Sequence, residues 1–253
     1  MSKKSYNKPP LNYKDQLSQL KKRGLTVNNE VRALHLLENI SYYRLSAYWY
    51  PLLKSPKSAH KFKEKSTFKR GFELYCFDRE LRQLVINDLE KVEVAVRAKL
   101  IYVLAHANGA NWYQDQNLFT NQQSFQKSLD KLKTELQRSD EDFIKSFNKK
   151  YSDPLPPSWM IFEIASFGVL SHYYSNLKPG KSKREIANYF GLDDTTFMSW
   201  LHTLTYVRNL CAHHSRFWNK RMRIQPQIPN SPEFDFIKIH SIPSTYDTAK
   251  NGD

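Results

Sequence analysis

Apolar residues recur every three or four positions along most of this chain, which is the spacing of amphipathic helices. The pattern predicts two short helices over residues 14–23 and 28–40 and one long core helix over residues 72–107. The predicted core face of the long helix consists of Phe77, Leu81, Leu84, Val85, Leu89, Val92, Val96 and Leu100. Further helices are predicted over residues 122–138, 159–177, 182–190 and 194–219. The sequence therefore predicts an all-α helical bundle.

Two segments interrupt this helical pattern. The Lys-rich residues 54–70 contain Pro56 and three serines, and they are predicted to form an exposed loop. DPLPPSW, residues 153–159, is predicted to be an extended connector because its three prolines exclude a regular helix. These breaks predict a basic N-terminal helical segment with a Lys-rich loop, a helical core and a short irregular tail, over residues 1–70, 71–225 and 226–253.

The segment ISYYRLSAYWYPLL, residues 40–53, is too rich in aromatic rings for a solvated surface, and Pro51 is expected to end its helix. Four of its rings are candidates for stacking on unpaired nucleic-acid bases: Tyr42, Tyr43, Trp49 and Tyr50. Packing in the core is the alternative, and it is favoured for most of them because the same element carries Leu45 and Leu52.

The net charge of +14 is unevenly distributed along the chain. Residues 1–70 carry 16 Lys/Arg against 4 Asp/Glu, a net charge of +12, so the other 183 residues contribute only +2. A second stretch, residues 195–232, contains no acidic residue. Such local basicity favours a polyanionic partner, because each neutralised phosphate releases condensed counterions. A solvated surface is the alternative for both stretches.

Several classes of protein are excluded by what the sequence lacks. No apolar run approaches the roughly 18 residues of a membrane span, and the N-terminus has no apolar core of the secretory type, so a cytoplasmic protein without membrane contact is expected. Cys76 and Cys211 lie far apart and are predicted to be core thiols. No nucleotide-binding or metalloprotease motif occurs, so no cofactor and no metal is predicted.

The second basic stretch contains RNLCAHHSRFWN, residues 208–219. On a helix reaching residue 219, an apolar seam is predicted to face the core through Trp200, Leu204, Val207 and Cys211. A polar row suited to an anion is predicted on another face, formed by Asn209, His213, Arg216 and Lys220. Arg208 and His213 are about 140° apart around such a helix. They would therefore meet at one phosphate only if the arginine bends around or a second helix completes the site.

Four blocks of this sequence resemble the successive signature blocks of the Abi-like abortive-infection proteins of the AbiD/AbiF type. The blocks are YYRLSAYW, LRQLVINDLEKVEVAVRAKL, PPSWMIFEIASFGVLSHYYSNL and WLHTLTYVRNLCAHHSRFWN, at residues 42–49, 81–100, 156–177 and 200–219. The resemblance covers about residues 10–225, and several long blocks in the right order make it specific. This family is similar in turn to the HEPN ribonucleases, whose hallmark is an arginine, a polar residue, three variable residues and a histidine.

Arg208, Asn209 and His213 match that hallmark. The resemblance implies a HEPN-like helical bundle with additional N-terminal helices. It also implies a metal-independent endoribonuclease, active as a homodimer whose two motifs line one cleft, which bacteria use as a toxin-type defence against phage. Taken alone, an Arg-Asn-x-x-x-His sequence on a helix is more often structural than catalytic, and the surrounding blocks reverse that preference.

These residue types suit RNA cleavage without a metal. His213 can serve as the general base or acid, Arg208 offers a planar fork to phosphate oxygens, and Asn209 would orient the histidine or the substrate. His214 is a candidate RNA contact, and a hydrogen bond at the helix end is its alternative. The other predicted RNA contacts are the cations after the motif and in the N-terminal loop: Arg216, Lys220, Arg221, Arg223, Lys61, Lys63, Lys65, Lys69 and Arg70. A structural salt bridge is the alternative for Arg216.

A second function of a different class is compatible with the same residues. The basic face would then belong to a non-catalytic RNA-binding module that holds a structured regulatory RNA. The expected partners are accordingly an RNA substrate, an antitoxin-like regulatory RNA and a second copy of the chain. Glu93 and Arg97 could reach the motif, although an intrahelical ion pair worth about 0.3 kcal/mol is a sufficient explanation for them.

Overall fold

The computed structural model describes residues 5–229, and within them the regular structure consists of ten α-helices and short 3₁₀ turns, without a β-strand. The α-helices are α1 Tyr13–Lys22, α2 Glu30–Ile40, α3 Tyr42–Trp49, α4 Phe68–Asn108, α5 Gln122–Arg138, α6 Asp142–Lys150, α7 Ser158–Ile161, α8 Phe167–Asn176, α9 Lys181–Tyr189 and α10 Asp194–Ala212. The predicted all-α class is confirmed. Most of the predicted tail, residues 230–253, lies outside the described residues.

The described chain divides into two compact units. The first unit comprises residues 5–87 and 210–221, and the second comprises residues 88–209 and 222–229. These divisions fall near the middle of α4 and near the end of α10, where the sequence composition does not change. The predicted segments, with boundaries after residues 70 and 225, divide the chain by composition and not by spatial contacts. They stay a prediction.

The first unit has its own apolar core, built from α1, α2, α3 and the beginning of α4. Asn side chains begin two of these helices: Asn12 accepts a hydrogen bond from an amide of α1, and Asn29 does the same for α2. The indole of Trp49 packs 4.9 Å from the ring of Phe68, measured between centroids. A β-carbon on Gly71 would lie 2.0 Å from Trp49 Cδ1, so α4 needs a glycine at this position to accept the indole.

The second unit is organised around stacked aromatic rings. Trp112 stacks on Phe162 at 5.1 Å between ring centroids, and Tyr173 meets both rings edge-on. The aliphatic side of this core comes from the second half of α4, through Val96, Leu100, Val103 and Leu104. Within residues 5–229, no helix is both long and apolar enough to cross a membrane.

The predicted core face of α4 is confirmed in its second half, whereas in its first half it is wrong for Phe77 and Leu84, and Leu81 and Val85 are half-buried. Leu89, Val96 and Leu100 are buried, whereas Phe77 and Leu84 are 49% and 65% exposed. Beside these exposed residues, the side chains of Asp78 and Arg82 are buried, and they form an ion pair. A helix that buries a polar pair turns its apolar residues toward solvent, and the apolar period alone does not reveal this.

Other predicted elements differ from the structure in their extent. α5 occupies residues 122–138 as predicted, whereas the predicted helix over 159–177 is divided into α7 and α8. α6, which lies between α5 and the predicted connector, is a helix that the sequence does not predict. Cys211 is buried as predicted, burial raises the pKa of its thiol, and Cys76 is only half-buried.

The predicted helix reaching residue 219 is wrong, because α10 ends at Ala212. His214 adopts a left-handed backbone conformation with φ +53°. Its amide donates to the Cys211 carbonyl, and the Ser215 amide donates to the Leu210 carbonyl. These two hydrogen bonds form the Schellman arrangement that ends many helices, with His214 at the position usually taken by glycine. The predicted polar row required the helix to continue beyond Ala212, so it does not exist as a helix face. Its residues are Asn209, His213, Arg216 and Lys220.

The predicted apolar seam of α10 is confirmed only in part. Cys211 is buried, while Trp200, Leu204 and Val207 are half-buried. Phe197 and Leu201 are the large apolar side chains of α10 that reach the core most completely. Residues four apart lie on the same face of a helix. The most buried face of α10 therefore runs through Phe197 and Leu201, beside the predicted seam.

Candidate functional site

The segment after α10, residues 213–218, is the motif turn, and a buried carboxylate in the first unit holds it in place. Asp78 is fully buried. Its Oδ1 accepts hydrogen bonds from the backbone amides of Phe217 at 3.0 Å and Trp218 at 2.5 Å. Its Oδ2 accepts from the hydroxyl of Tyr48 and from the guanidinium of Arg82. Every oxygen of this carboxylate is therefore satisfied, which is what a buried charge requires.

Two donors complete the support around Asp78. Arg82 is buried beside it and also donates to the carbonyl of Ser215 at 3.4 Å, so one guanidinium joins α4 to the motif turn. Burial raises the pKa of Tyr48 to about 12, and the hydrogen bond to the Asp78 carboxylate adds to the rise because it requires the protonated phenol. The phenol of Tyr48 is therefore a hydrogen-bond donor throughout the neutral range.

Two further arginines connect α3 to the motif turn. Arg44 on α3 donates to the carbonyl of His214 at 2.6 Å, and Arg216 donates to the carbonyl of Ala47 at 3.2 Å. The Arg216 guanidinium thus has a structural hydrogen bond to backbone, which is neither of the uses expected for it. Its proposed contact with RNA stays a prediction.

The motif turn and α3 together line a groove of about 560 Å³, which we call the motif groove. The imidazoles of His213 and His214 are exposed there. The groove is also bordered by Tyr43 and by three cations, and no lining residue in the described chain is acidic. The cations are Arg44, Arg216 and Lys220. Exposed imidazoles among unopposed cations form a site suited to a phosphate group.

The first half of the predicted motif lies in the second unit, on α10. Arg208 Nε is 3.5 Å from Glu93 Oε2 on α4, and the arginine side chain is 37% exposed. Glu93 Oε1 also pairs with Arg97 at 3.1 Å, so the predicted intrahelical pair is confirmed. Arg97 donates in turn to the carbonyl of Ala165 at 3.0 Å. Glu93 therefore orients Arg208 while part of that side chain remains exposed, and Asn209 beside it is exposed as well.

The remaining predicted RNA contacts are surface cations. Five of them lie in the N-terminal loop or at the start of α4, all exposed, and none is among the described residues that line the motif groove: Lys61, Lys63, Lys65, Lys69 and Arg70. Lys69 and Arg70 lie 3.6 and 3.9 Å from Glu73, as exposed ion pairs. Arg221 in the first unit and Arg223 in the second are also exposed. Contact with RNA stays a prediction for this set.

Sequence reasoning did not find Asp78, Tyr48 or Arg82. Asp78 and Arg82 are four residues apart on α4, so they have the spacing of an ordinary surface ion pair. The sequence signal that distinguishes them is their position within an apolar helical period, where a charged pair is out of place. Across residues 5–229, no group of three or more His, Cys, Asp or Glu side chains is arranged to hold a metal ion.

Comparison with known families identifies the greater part of the chain. A model of the Abi-like protein family matches residues 35–219, which run from within α2 to the residue after the motif turn. The matched region contains α3, the first half of α4 with Asp78, and all of α10. Comparisons with curated proteins and with solved structures find no match. Because this family model matches most of the chain, the chain belongs to the Abi-like protein family.

Proposed function

We propose that this protein is an endoribonuclease of an abortive-infection, toxin-type defence against phage, which cleaves RNA without a metal. The observation that carries the proposal is the motif groove, in which the exposed His213 imidazole is surrounded by cations without an acidic lining residue in the described chain. Membership of the Abi-like family supports the role in abortive infection. The sequence from Arg208 to His213 matches the HEPN hallmark and supports ribonuclease chemistry.

In the proposed mechanism, His213 removes the proton from a ribose 2′-hydroxyl. The 2′-oxygen then attacks the adjacent phosphorus, the bond from phosphorus to the 5′-oxygen breaks, and a protonated imidazole donates a proton to that leaving oxygen. The products are a 2′,3′-cyclic phosphate and a 5′-hydroxyl. Arg208 stabilises the additional negative charge that the phosphorane develops, because its guanidinium binds two oxygens at once. Asn209 positions the substrate.

The ion pair between Arg208 and Glu93 gives this mechanism a resting state. With no RNA bound, the Glu93 carboxylate neutralises the guanidinium and holds it in one orientation. A phosphate approaching the exposed part of Arg208 competes with a single carboxylate contact of 3.5 Å, which is longer than a strong charge-assisted hydrogen bond. Glu93 is therefore proposed to position Arg208 without blocking it.

The test is expression of wild type, Arg208→Ala and His213→Ala in a bacterial host, with growth curves and sequencing of RNA ends. Wild type is expected to arrest growth and to generate 2′,3′-cyclic phosphate ends, also in purified form with excess EDTA, while both variants do neither. His202→Ala is the matched control, because His202 is an exposed histidine of α10 outside the motif. Wild-type cleavage rates in purified, folded His213→Ala would refute the assignment, and a strict requirement for added Mg²⁺ would refute the metal-free mechanism.

The second candidate function is a non-catalytic module that holds a regulatory RNA. The observation in its favour is the concentration of charge, since residues 1–70 alone carry a net charge of +12. In that case wild type and His213→Ala would bind the same RNA with equal affinity. Neither protein would cleave that RNA.

A further inference from the structure

Tyr43 is a large aromatic residue that the fold leaves in solvent. Its side chain is 89% exposed, whereas Tyr48 and Trp49 on the same helix are 1% exposed. Core packing, the use expected for most aromatic residues of this segment, therefore does not account for Tyr43. Its backbone carbonyl accepts a hydrogen bond from the Ser46 hydroxyl at 2.7 Å within the first turn of α3.

Tyr43 stands between two grooves of the first unit. On one side it borders the motif groove that contains His213. On the other side it borders a groove of about 740 Å³, here called the aromatic groove. Three further tyrosines and three basic side chains line the aromatic groove: Tyr6, Tyr42, Tyr50, Lys8, Arg23 and His60. Both grooves lie within the first compact unit, and Tyr43 of α3 borders both of them.

The two grooves have the same chemistry. Neither includes an acidic residue among its described lining residues, whereas a third groove of the first unit, between α2 and α4, includes Glu73 and Glu80. Two cations of this unit are paired with tyrosines of the aromatic groove: Arg23 donates to the Tyr42 hydroxyl at 2.8 Å, and Lys57 Nζ lies 5.5 Å above the Tyr50 ring. Rings alternating with cations and without carboxylates are typical of a surface that binds a single-stranded nucleic acid.

We infer that Tyr43 is a base-stacking residue of a single-stranded RNA subsite, which begins at His213 in the motif groove and continues over α3 into the aromatic groove. The inference rests on the proposed function for its ligand and adds the path of the substrate strand. Arg44 and Lys220 bind backbone phosphates on the side of His213, and the Tyr43 ring receives the neighbouring base. A base in a duplex is already stacked and paired, so this subsite selects single-stranded over double-stranded RNA.

The test measures binding without cleavage, in the full-length His213→Ala chain. The probe is a fluorescein-labelled single-stranded RNA of twelve mixed nucleotides, and its duplex form is the comparison. Within this background, Tyr43→Ala is expected to weaken single-strand binding by roughly 5-fold to 100-fold, the effect of losing one stacked base. Tyr43→Phe keeps the ring and is expected to retain the affinity. Duplex binding should change little in either variant.

The matched control is Tyr13→Ala, which removes a half-exposed tyrosine of α1 that lines neither groove among the described residues. Circular dichroism establishes that all variants are folded, which is expected because the Tyr43 ring supports no core contact. Equal single-strand affinities of Tyr43→Ala and Tyr13→Ala would overturn the inference. A loss of affinity in Tyr43→Phe equal to that in Tyr43→Ala would also overturn it, because the ring would then not be the binding group.

A parallel measurement in the wild-type background separates this inference from the proposed function. There, Tyr43→Ala is expected to raise KM for a single-stranded substrate by the same factor while kcat changes little. Tyr43-dependent binding by a wild-type protein that does not cleave would refute the nuclease proposal and leave the subsite in place. Cleavage with an unchanged KM in Tyr43→Ala would refute the subsite and leave the nuclease proposal in place.

Discussion

The Asp78 carboxylate, fully buried on α4, accepts a hydrogen bond of 2.5 Å from the backbone amide of Trp218, which lies 140 residues later in the sequence. The neighbouring amide of Phe217 binds the same oxygen at 3.0 Å. These amides follow His213 by four and five residues, so the position of the motif turn depends on a charge located in another part of the chain. The shape of the motif groove is thus determined largely by Asp78 and its partners.

Replacing Asp78 by alanine is expected to destabilise the protein by about 3 to 5 kcal/mol, because the buried Arg82 and two amides lose their partner. Urea unfolding followed by circular dichroism measures this change. Glu80→Ala is the matched control, since Glu80 is an exposed acidic residue of the same helix and should change stability by less than about 0.5 kcal/mol. Equal midpoints for the two variants would contradict the assigned role of Asp78.

His214 offers a test that separates its backbone from its side chain. Its φ of +53° is a conformation in which glycine is unstrained and alanine is not. His214→Gly is therefore expected to be about 1 kcal/mol more stable than His214→Ala, as measured by thermal unfolding. Both variants lack the imidazole, so an RNA contact by His214 would lower RNA affinity equally in both. Equal stabilities would contradict the Schellman ending of α10.

The raised pKa of Tyr48 predicts a specific loss of stability in alkali. The folded state keeps the phenol protonated up to about pH 12, whereas the unfolded chain releases this proton near pH 10. The contribution of Tyr48 is therefore fully present below pH 10 and is lost as the pH rises from 10 toward 12. Urea midpoints of wild type at pH 8, 9, 10 and 11 should fall at the upper end. Tyr48→Phe should be less stable at pH 8 and should show a shallower fall, while Tyr13→Phe should behave as wild type.

The basic N-terminal loop is tested by reversing its charge. Lys61, Lys63 and Lys65 are exposed, and their replacement by glutamate should leave the fold intact. If these lysines bind RNA phosphates, affinity should fall, and the slope of log affinity against log salt should decrease by roughly one unit for each phosphate that the variant does not neutralise. Fluorescence anisotropy at five salt concentrations measures both quantities. An unchanged slope would assign the loop to ordinary solvated surface.

The sequence predicted those parts of the fold that depend on local periodicity. α5 occupies its predicted residues because a strong amphipathic period begins directly after the capping side chain of Asn121. The end of α10 is not predicted because a histidine takes the left-handed position there, which glycine usually takes. The support of the motif turn was missed for a different reason: Tyr48, Asp78 and Trp218 meet only in the folded chain, and no local pattern connects them.

The last prediction concerns the number of copies that form one active site. A single chain supplies one His213, whereas the proposed mechanism uses two imidazoles at one phosphate, one as base and one as acid. A homodimer with two-fold symmetry supplies the second imidazole, as the resemblance to HEPN ribonucleases implies. Adding a ninefold excess of His213→Ala chain, with subunit exchange, should then lower the activity per wild-type chain to about one tenth, because most wild-type chains acquire an inactive partner.

The matched control for this mixing experiment is an equal excess of His213→Ala chain that has been cross-linked to itself beforehand and cannot exchange subunits, which should leave the wild-type activity unchanged. Analytical ultracentrifugation with and without RNA reports the oligomeric state under the same conditions. Activity proportional to the amount of wild-type chain, together with a monomeric sedimentation coefficient, would show that each copy acts alone. The nuclease assignment would survive that result, but the second proton-transfer group would then have to come from the same chain, and the exposed His214 of the motif groove would be the first residue to test.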